Sequence, residues 1–309
     1  MAAQPSFLVV GGDSLVGGGV TAALRRRGLP HVVSTRRAAT TSSERVFLDF
    51  ASDVPFTAPA GIDYALVIAA ATNYDRCETD PRARVTNVEM IPRVIGSLLA
   101  QGLFVSFIST NSVFGGERPW PEEDAPHAPV IAYARQKSEG EAAVRAAAEG
   151  CSGLHRLNIV RLTKILDASV SPIPAWLAAW DRGQRIKAFS DFTFAPMSVK
   201  FVGEALATIG ETRIAGNLHL SGAENITYVD FARTLAEQLG VVPELVEVTT
   251  ANEMGVNIPF KPRYSGLGMT RTTQLTRIQP QHLDAVIGDI VDDVRTDRKK
   301  HLMAAAGVA

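Results

Sequence analysis

The stretch Val10-Gly11-Gly12-Asp13-Ser14-Leu15-Val16-Gly17-Gly18-Gly19 decides how this chain is read. It lies between an apolar run, residues 6–10, and a helically patterned segment, residues 14–27, closed by Gly28. A tight strand-to-helix turn needs glycine. The start of the helix offers unpaired N–H groups and the positive end of a dipole to an anion. The spacing Gly11-x-x-Ser14-x-x-Gly17 puts serine where a middle glycine usually stands in such turns. Serine is small enough to keep the backbone near a phosphate, and its hydroxyl is expected to donate to one. Gly11, Ser14, Leu15, Val16 and Gly17 are therefore expected to hold the pyrophosphate of a dinucleotide.

Further apolar runs follow at residues 31–35, 45–48, 64–70, 103–109 and 157–162. Helical patterns fill residues 80–101 and 128–149, ended by Gly102 and Gly150. The strands are apolar throughout rather than alternating, as when helices cover both faces of a parallel sheet. This order predicts an α/β fold, a doubly wound parallel sheet of Rossmann type with a smaller C-terminal substrate-binding part. Residues 1–165 are expected to form the dinucleotide-binding domain, and residues 166–309 the substrate-binding part, with segments returning to the first. In that second part Ser171-Pro-Ile-Pro174 opens a helix carrying Trp176 and Trp180. Helices are predicted at 199–209 and 228–239, with a strand at 217–221 between them. A basic, Gly- and Pro-rich loop at 259–272 and a helical tail from His282 complete the chain.

Composition narrows the function classes. The chain has 309 residues, 46% hydrophobic and 20% charged, with 31 Lys and Arg against 32 Asp and Glu. That balance argues against broad electrostatic binding to nucleic acid or an anionic membrane. Cys77 and Cys151 have neither metal nor disulfide-framework spacing, so they are expected as inert thiols in a reducing compartment. Residues 1–7 lack the pattern of a secretory signal. No apolar run reaches about 18 residues, so no transmembrane helix is expected. The histidines show no paired metal spacing, and no metal is expected. A cytoplasmic protein acting on a small molecule, with a homodimer left open, fits these features.

The end of the second strand bears on the cofactor. A chain that binds NAD usually places an acid there for the ribose hydroxyls. Here the residues are Ser34-Thr35-Arg36-Arg37. Two guanidiniums suit a 2′-phosphate, so Arg36 and Arg37 point to NADP(H) ahead of NAD(H). Asp49 and Phe50 are expected to flank the adenine. Ala69, Ala70 and Ala71, at the end of the fourth strand, are small enough to let a cofactor lie against the backbone.

Tyr133 and Lys137 are four residues apart, hence one turn apart on one face of a helix. A nearby ammonium is expected to lower the phenol pKa and make Tyr133 a usable acid near neutral pH. The same lysine can reach a nicotinamide ribose. The preceding strand ends in Ser109-Thr110-Asn111. A hydroxyl at the carboxyl end of a parallel strand faces the ligand crevice. Thr110 is the candidate to bond a substrate oxygen, with Ser109 as its rival. Glu122-Glu123-Asp124, in a Pro-rich loop at 118–129, reads as a solvated turn. Trp176 and Trp180 read as core. Lys261 and Arg263 read equally as ligands of a substrate diphosphate or as a solvated loop.

With these residues the chain resembles the extended short-chain dehydrogenases/reductases, and within them the dTDP-4-dehydrorhamnose reductases and related sugar-nucleotide 4-ketoreductases. The likeness covers the glycine turn, Ala69-Ala70-Ala71, Asn87, Ser109-Thr110-Asn111-Ser112-Val113-Phe114, Tyr133-x-x-x-Lys137 and Val160-Arg161-Leu162-Thr163. It continues through Gly216-Asn217-Leu218-His219-Leu220-Ser221-Gly222 and Lys261-Pro262-Arg263. The resemblance implies an NADPH-dependent reductase of a nucleotide-linked keto-sugar. In that scheme Tyr133 protonates the reduced oxygen, Thr110 bonds it, and Lys137 holds the nicotinamide ribose. It also sets the 118–129 loop near the substrate mouth. Substrate-facing positions depart from the pattern: Asn111-Ser112 stands for the usual Asp-Tyr, Lys164 for a Trp, and Tyr264-Ser265 follows Arg263 in the late loop. An epimerase or dehydratase of the same superfamily is one alternative, favouring an acid at position 36 or a carboxylate pair beside Thr110. A non-catalytic NADP-binding regulatory subunit is the other. Such a subunit commonly loses the Tyr or Lys that this chain keeps.

Overall fold

The apolar runs become strands buried on both faces. The computed structural model describes residues 4–50, 56–68 and 70–305. In chain order the first half contains Phe7–Val10 (β1), Leu15–Arg26 (α1), His31–Thr35 (β2), Arg45–Phe47 (β3) and Tyr64–Val67 (β4). Then come Tyr74–Thr79 (α2), Pro81–Arg84 (α3), Ile91–Ala100 (α4), Phe104–Thr110 (β5), Ala132–Gly150 (α5) and Leu157–Leu162 (β6). Every residue of β1, β4, β5 and β6 is buried.

The second half contains Lys164–Leu166 (β7), Ile173–Trp180 (α6), Ile186–Phe189 (β8), Thr193–Phe194 (β9) and Pro196–Ser198 (β10). It continues with Val199–Thr212 (α7), Gly216–Leu220 (β11), Ile226–Thr227 (β12), Tyr228–Gln238 (α8), Val246–Thr249 (β13), Thr270–Thr276 (α9) and Leu283–Ala305 (α10). The main sheet has seven strands in the order β11-β6-β5-β4-β1-β2-β3, all neighbours parallel. This is the doubly wound parallel sheet read from the sequence. Residues 216–220, from the second half, form its last strand against β6.

The chain leaves β1 toward β2 and β3, then returns to place β4 on the other side of β1. Strand order therefore reverses between β1 and β4, and in such sheets the crevice beyond the strand ends at that point receives the ligand. The glycine turn follows β1, and Ile68, Ala70 and Ala71 follow β4, so both segments border the crevice. Helix α1 crosses α7 with backbone against backbone. A Cβ on Gly203 would stand 2.4 Å from the Gly19 carbonyl oxygen, and one on Gly19 would stand 2.8 Å from the Val199 oxygen. Any larger residue at either position would push the helices apart.

A separate core lies among the elements of the second half. Trp176 and Trp180 of α6 are buried there with Phe194, Phe231, Ile287 and Ile290, as their i,i+4 spacing suggested. The short strands β7 to β10, β12 and β13 were not read from the sequence; they pair in twos outside the main sheet. Among the described residues, no helix is long and apolar enough to cross a membrane.

Several boundaries differ from the reading. The fourth strand ends at Val67, not at residue 70. The helix expected over 80–101 is interrupted by a π-helical turn, Val85–Met90. Helix α5 starts at Ala132 rather than 128, because Pro126 and Pro129 keep the preceding chain extended.

Candidate active site

The glycine turn is shaped by its own hydrogen bonds. Ser14 Oγ donates to the Gly11 carbonyl at 2.7 Å and accepts from the Gly17 amide at 3.0 Å. Its proton is thus committed to the backbone, and Ser14 is the N-cap of α1 rather than the phosphate donor expected. A cap of this kind is worth about 1 kcal/mol. Gly17 is required by contact: a Cβ there would meet the Gly11 oxygen at 2.3 Å. Among the described residues, the Leu15 and Val16 amides in the first turn of α1 bond no other group. They retain the anion-binding character of a free helix N-terminus.

At the end of β2 an acid does stand, supplied by the glycine turn. Asp13 accepts from the Thr35 hydroxyl at 2.8 Å, lies 3.6 Å from Arg37 Nε, and pairs with Arg45 of β3. Thr35, with Arg45 and Arg37 behind it, holds the Asp13 carboxyl below its usual range. Arg36 is exposed and forms no ion pair among the described residues. The sequence reading overlooked Asp13 and Arg45, because 22 and 32 residues separate Asp13 from Thr35 and Arg45. Asp49 is half-buried beyond the end of β3, and Phe50 is buried in the core with Leu48, Leu8 and Val67. Ala69 lies outside the described residues. Ala70 packs on that same core. Ala71 is held by Asn87, which accepts from its amide at 2.9 Å and donates to its carbonyl at 3.0 Å. The π-helical turn carries Asn87 to this position, so one side chain clamps the loop after β4 in place of a sheet partner.

Thr110, Tyr133 and Lys137 meet at the end of β5. Tyr133 is buried, and its phenol is pushed well above its ordinary value by burial, with Tyr74 adding and Thr110 opposing through hydrogen bonding. Thr110 Oγ1 donates to Ser112 Oγ at 3.2 Å. The Tyr74 ring lies 5.3 Å from the Tyr133 ring, centre to centre. Lys137 Nζ donates to the Ile108 carbonyl at 2.9 Å and sits 4.1 Å over the Phe107 ring. Burial brings the Lys137 ammonium down to about 8. The amine is therefore directed at β5, and the acidifying effect on Tyr133 read from the one-turn spacing is not realised; burial governs the phenol instead. Ser109, the rival hydroxyl, aligns in the sheet with Arg161 and lies beside the Glu141 carboxylate.

Behind the pair lies a buried ionic group. Glu141, one turn beyond Lys137, receives Arg161 Nε at 3.0 Å and Nη2 at 2.7 Å, with the two side chains 1% and 2% exposed. Burial opposes the carboxylate, but Arg161 holds it below its usual range. Arg161 Nη1 also donates to the Glu123 carbonyl at 2.8 Å and to His219 Nε2 at 3.1 Å, while His219 Nδ1 donates to the Gly268 carbonyl at 2.7 Å. Burial and the Arg161 charge bring His219 down to about 4, so it is neutral and satisfied.

The 122–124 segment is not a solvated turn. Glu123 is 3% exposed, and its carboxylate accepts from the Thr272 amide at 2.8 Å and hydroxyl at 2.9 Å. Glu122 receives the Thr270 hydroxyl and Asp124 pairs with Arg271. The three acids together bind the start of α9, where a helix dipole favours negative charge. Asn111 donates to the Ser265 carbonyl at 2.8 Å and so ties the late loop to β5. In that loop Lys261 pairs with Asp191 at 2.5 Å and Arg263 lies over the Tyr264 ring. Both thiols are free; Cys77 is buried beside Tyr133.

Comparison with known proteins places this geometry in context. Residues 6–296 match the family described as the RmlD substrate binding domain. A probable dTDP-4,6-dihydroxy-2-methyloxan-3-one 4-ketoreductase of Streptomyces antibioticus is 30% identical over 66% of this chain and 68% of its own length. A probable low-salt glycan biosynthesis reductase of Haloferax volcanii is 27% identical over 60% of this chain, and the match spans 63% of that relative. Among solved structures, the dTDP-4-dehydrorhamnose reductase of Bacillus anthracis in complex with NADP superposes with a TM-score of 0.78. That superposition covers 94% of this chain and all of the other, at 17% identity, and so bears on the fold.

Proposed function

The chain belongs to the RmlD substrate-binding domain family, and from that premise we propose that it is an NADPH-dependent reductase of a nucleotide-linked keto-sugar. The observation that carries the reading is the meeting of Thr110, Tyr133 and Lys137 at the end of β5, beside the crevice between β1 and β4. The cofactor fits the residues present. The free amides of Leu15 and Val16 suit its pyrophosphate, and Arg36, Arg37 and Arg45 suit its 2′-phosphate. When bound, it supplies hydride to the ketone carbon. Tyr133 gives its proton to the ketone oxygen as negative charge grows there. The phenol is protonated at neutral pH, as a proton donor must be, and a positive charge brought near it offsets the effect of burial and moves its pKa toward the working range. Thr110 turns its one hydroxyl proton from Ser112 to the same oxygen and donates a second hydrogen bond there. Lys137 turns from the Ile108 carbonyl to the ribose hydroxyls and brings a positive charge near the phenol.

Asp13 favours a second reading, an epimerase that retains NAD, because a carboxylate beside Thr35 can accept from ribose hydroxyls. A dehydratase is less supported, since Asn111 and Ser112 stand where a carboxylate pair is needed. Titrating the protein with each cofactor separates the two. A reductase binds NADP(H) at least about tenfold tighter than NAD(H), since one charged hydrogen bond is worth about 1.5–3 kcal/mol. Asp13→Asn frees Arg37 and Arg45 and tightens NADP(H) further, while Arg36→Asp reverses the preference. Tightly co-purifying NAD, or equal binding of both, moves the assignment to the epimerase.

A further inference from the structure

Helix α2 carries exposed polar residues at Asp75, Arg76, Glu78 and Thr79, yet its first residue is turned inward. Asn73 fixes that start by accepting from the Arg76 amide at 2.9 Å. The result is a second phenol, Tyr74, whose ring is tilted 33° to the Tyr133 ring at a centre-to-centre distance of 5.3 Å. The Tyr74 hydroxyl interacts with Ser112, and Ser112 receives the Thr110 hydroxyl at 3.2 Å. Tyr74 is half-buried, whereas Tyr133, Thr110 and Ser112 are buried. It therefore stands at the open side of the hydroxyl group that receives the ketone oxygen.

We infer that Tyr74 is a specificity-determining residue that bonds the hydroxyl on the carbon next to the ketone. The inference rests on the reductase reading, which sets the ketone oxygen between Tyr133 and Thr110. Thr110 bonds Ser112 at 3.2 Å, and the Tyr74 phenol lies near Ser112 in turn with its ring against that of Tyr133, so the phenol stands one side chain beyond the Thr110 hydroxyl. Oxygens on neighbouring sugar carbons are separated by roughly one hydrogen-bond length. A sugar whose ketone oxygen reaches Thr110 thus brings its adjacent hydroxyl to the phenol. Ring packing against Tyr133 alone would be served by phenylalanine at this position; the hydroxyl adds a polar end that is half-buried at the open side of the site. A substrate with a hydroxyl beside the ketone is accordingly preferred over its deoxy counterpart.

The test is a cycle of two proteins and two probes. The protein and Tyr74→Phe, each loaded with NADP+, are titrated calorimetrically with dTDP-6-deoxyglucose and with its 3-deoxy analogue. Tyr74→Phe is expected to lose about two- to tenfold in affinity for the first probe, the worth of one neutral hydrogen bond, and nothing for the second. Ser112→Ala, which leaves the phenol in place but unsupported, gives a smaller loss of the same kind. Equal losses for both probes would make Tyr74 a packing residue and overturn the inference, as would no loss for either. Unchanged NADP+ affinity shows that the variants are folded. Binding without turnover of the matching 4-keto sugar would remove the reductase reading and leave the Tyr74 contact standing. Failure of the protein to bind either probe would overturn both.

Discussion

Lys137 is the residue whose chemistry changes most between its local spacing and its surroundings. One turn from Tyr133, it was read as the group that acidifies the phenol. In the fold its amine bonds the Ile108 carbonyl, and burial brings it down to about 8. A lysine is cationic below its pKa, so its help to the developing oxyanion is present at pH 7 and fades as pH rises through about 8. The rate of ketone reduction is expected to fall on the alkaline side with an inflection near that value. Lys137→Arg, which stays charged, should move the inflection upward; a pH–rate profile of both proteins checks this. That Tyr133, Lys137 and Thr110 lie at one end of β5 was legible because helical spacing and strand-end position are local facts. Asp13 was not. It was quoted within the glycine turn, but its pairing with Thr35, Arg37 and Arg45 exists only once β1, β2 and β3 lie side by side.

Helix α5 shows how an element holds a site. Its inner face carries Tyr133, Lys137 and Glu141 at successive turns, and Glu141 is locked to Arg161 of β6. Breaking a buried pair by removing one partner costs about 3–5 kcal/mol, because the other charge is left alone. Glu141→Gln is expected to lower the urea midpoint by that equivalent. By contrast, Glu247→Gln at the exposed pair with Arg185 should cost less than about 1 kcal/mol. Denaturation of the two variants side by side measures the difference. The existence of α5 was plain from composition, and its start was not, since the prolines before it act through backbone sterics. The π-helical turn was hidden for a related reason: one extra residue in a turn shifts the apolar pattern too little to be seen, yet it carries Asn87 to Ala71. The acids at 122–124 looked solvated because charge alone suggested it. Their partners on α9 lie about 150 residues away, as in the 149-residue separation of Glu123 and Thr272.

At the scale of the molecule, the reversal of strand order between β1 and β4 makes the crevice, and the second half of the chain is tied to the end of β5 by the late loop and to the 122–124 segment by α9. The ionic group around Arg161 joins β6, β11, α5 and the 122–124 segment, so its protonation bears on the whole fold. His219 is neutral in the fold down to about 4 but takes a proton near 6.5 when unfolded. The unfolded state therefore binds more protons between those values, and stability is lost as pH falls through that window, by on the order of 3 kcal/mol at most. Thermal melts from pH 7 to 4 should show this fall, and His219→Gln should flatten it.

The central claim is that Tyr133 donates the proton in an NADPH-driven ketone reduction. Mixing the NADPH-loaded protein with dTDP-4-dehydro-6-deoxyglucose in a single turnover, and following nicotinamide absorbance together with the sugar product, tests it most directly. The account predicts one NADPH oxidised for each alcohol formed. It also predicts a rate about 10²- to 10⁴-fold lower in Tyr133→Phe, with NADPH affinity within a few-fold of the original. An epimerised or dehydrated sugar with NADPH untouched, or a Tyr133→Phe variant of undiminished rate, would contradict it.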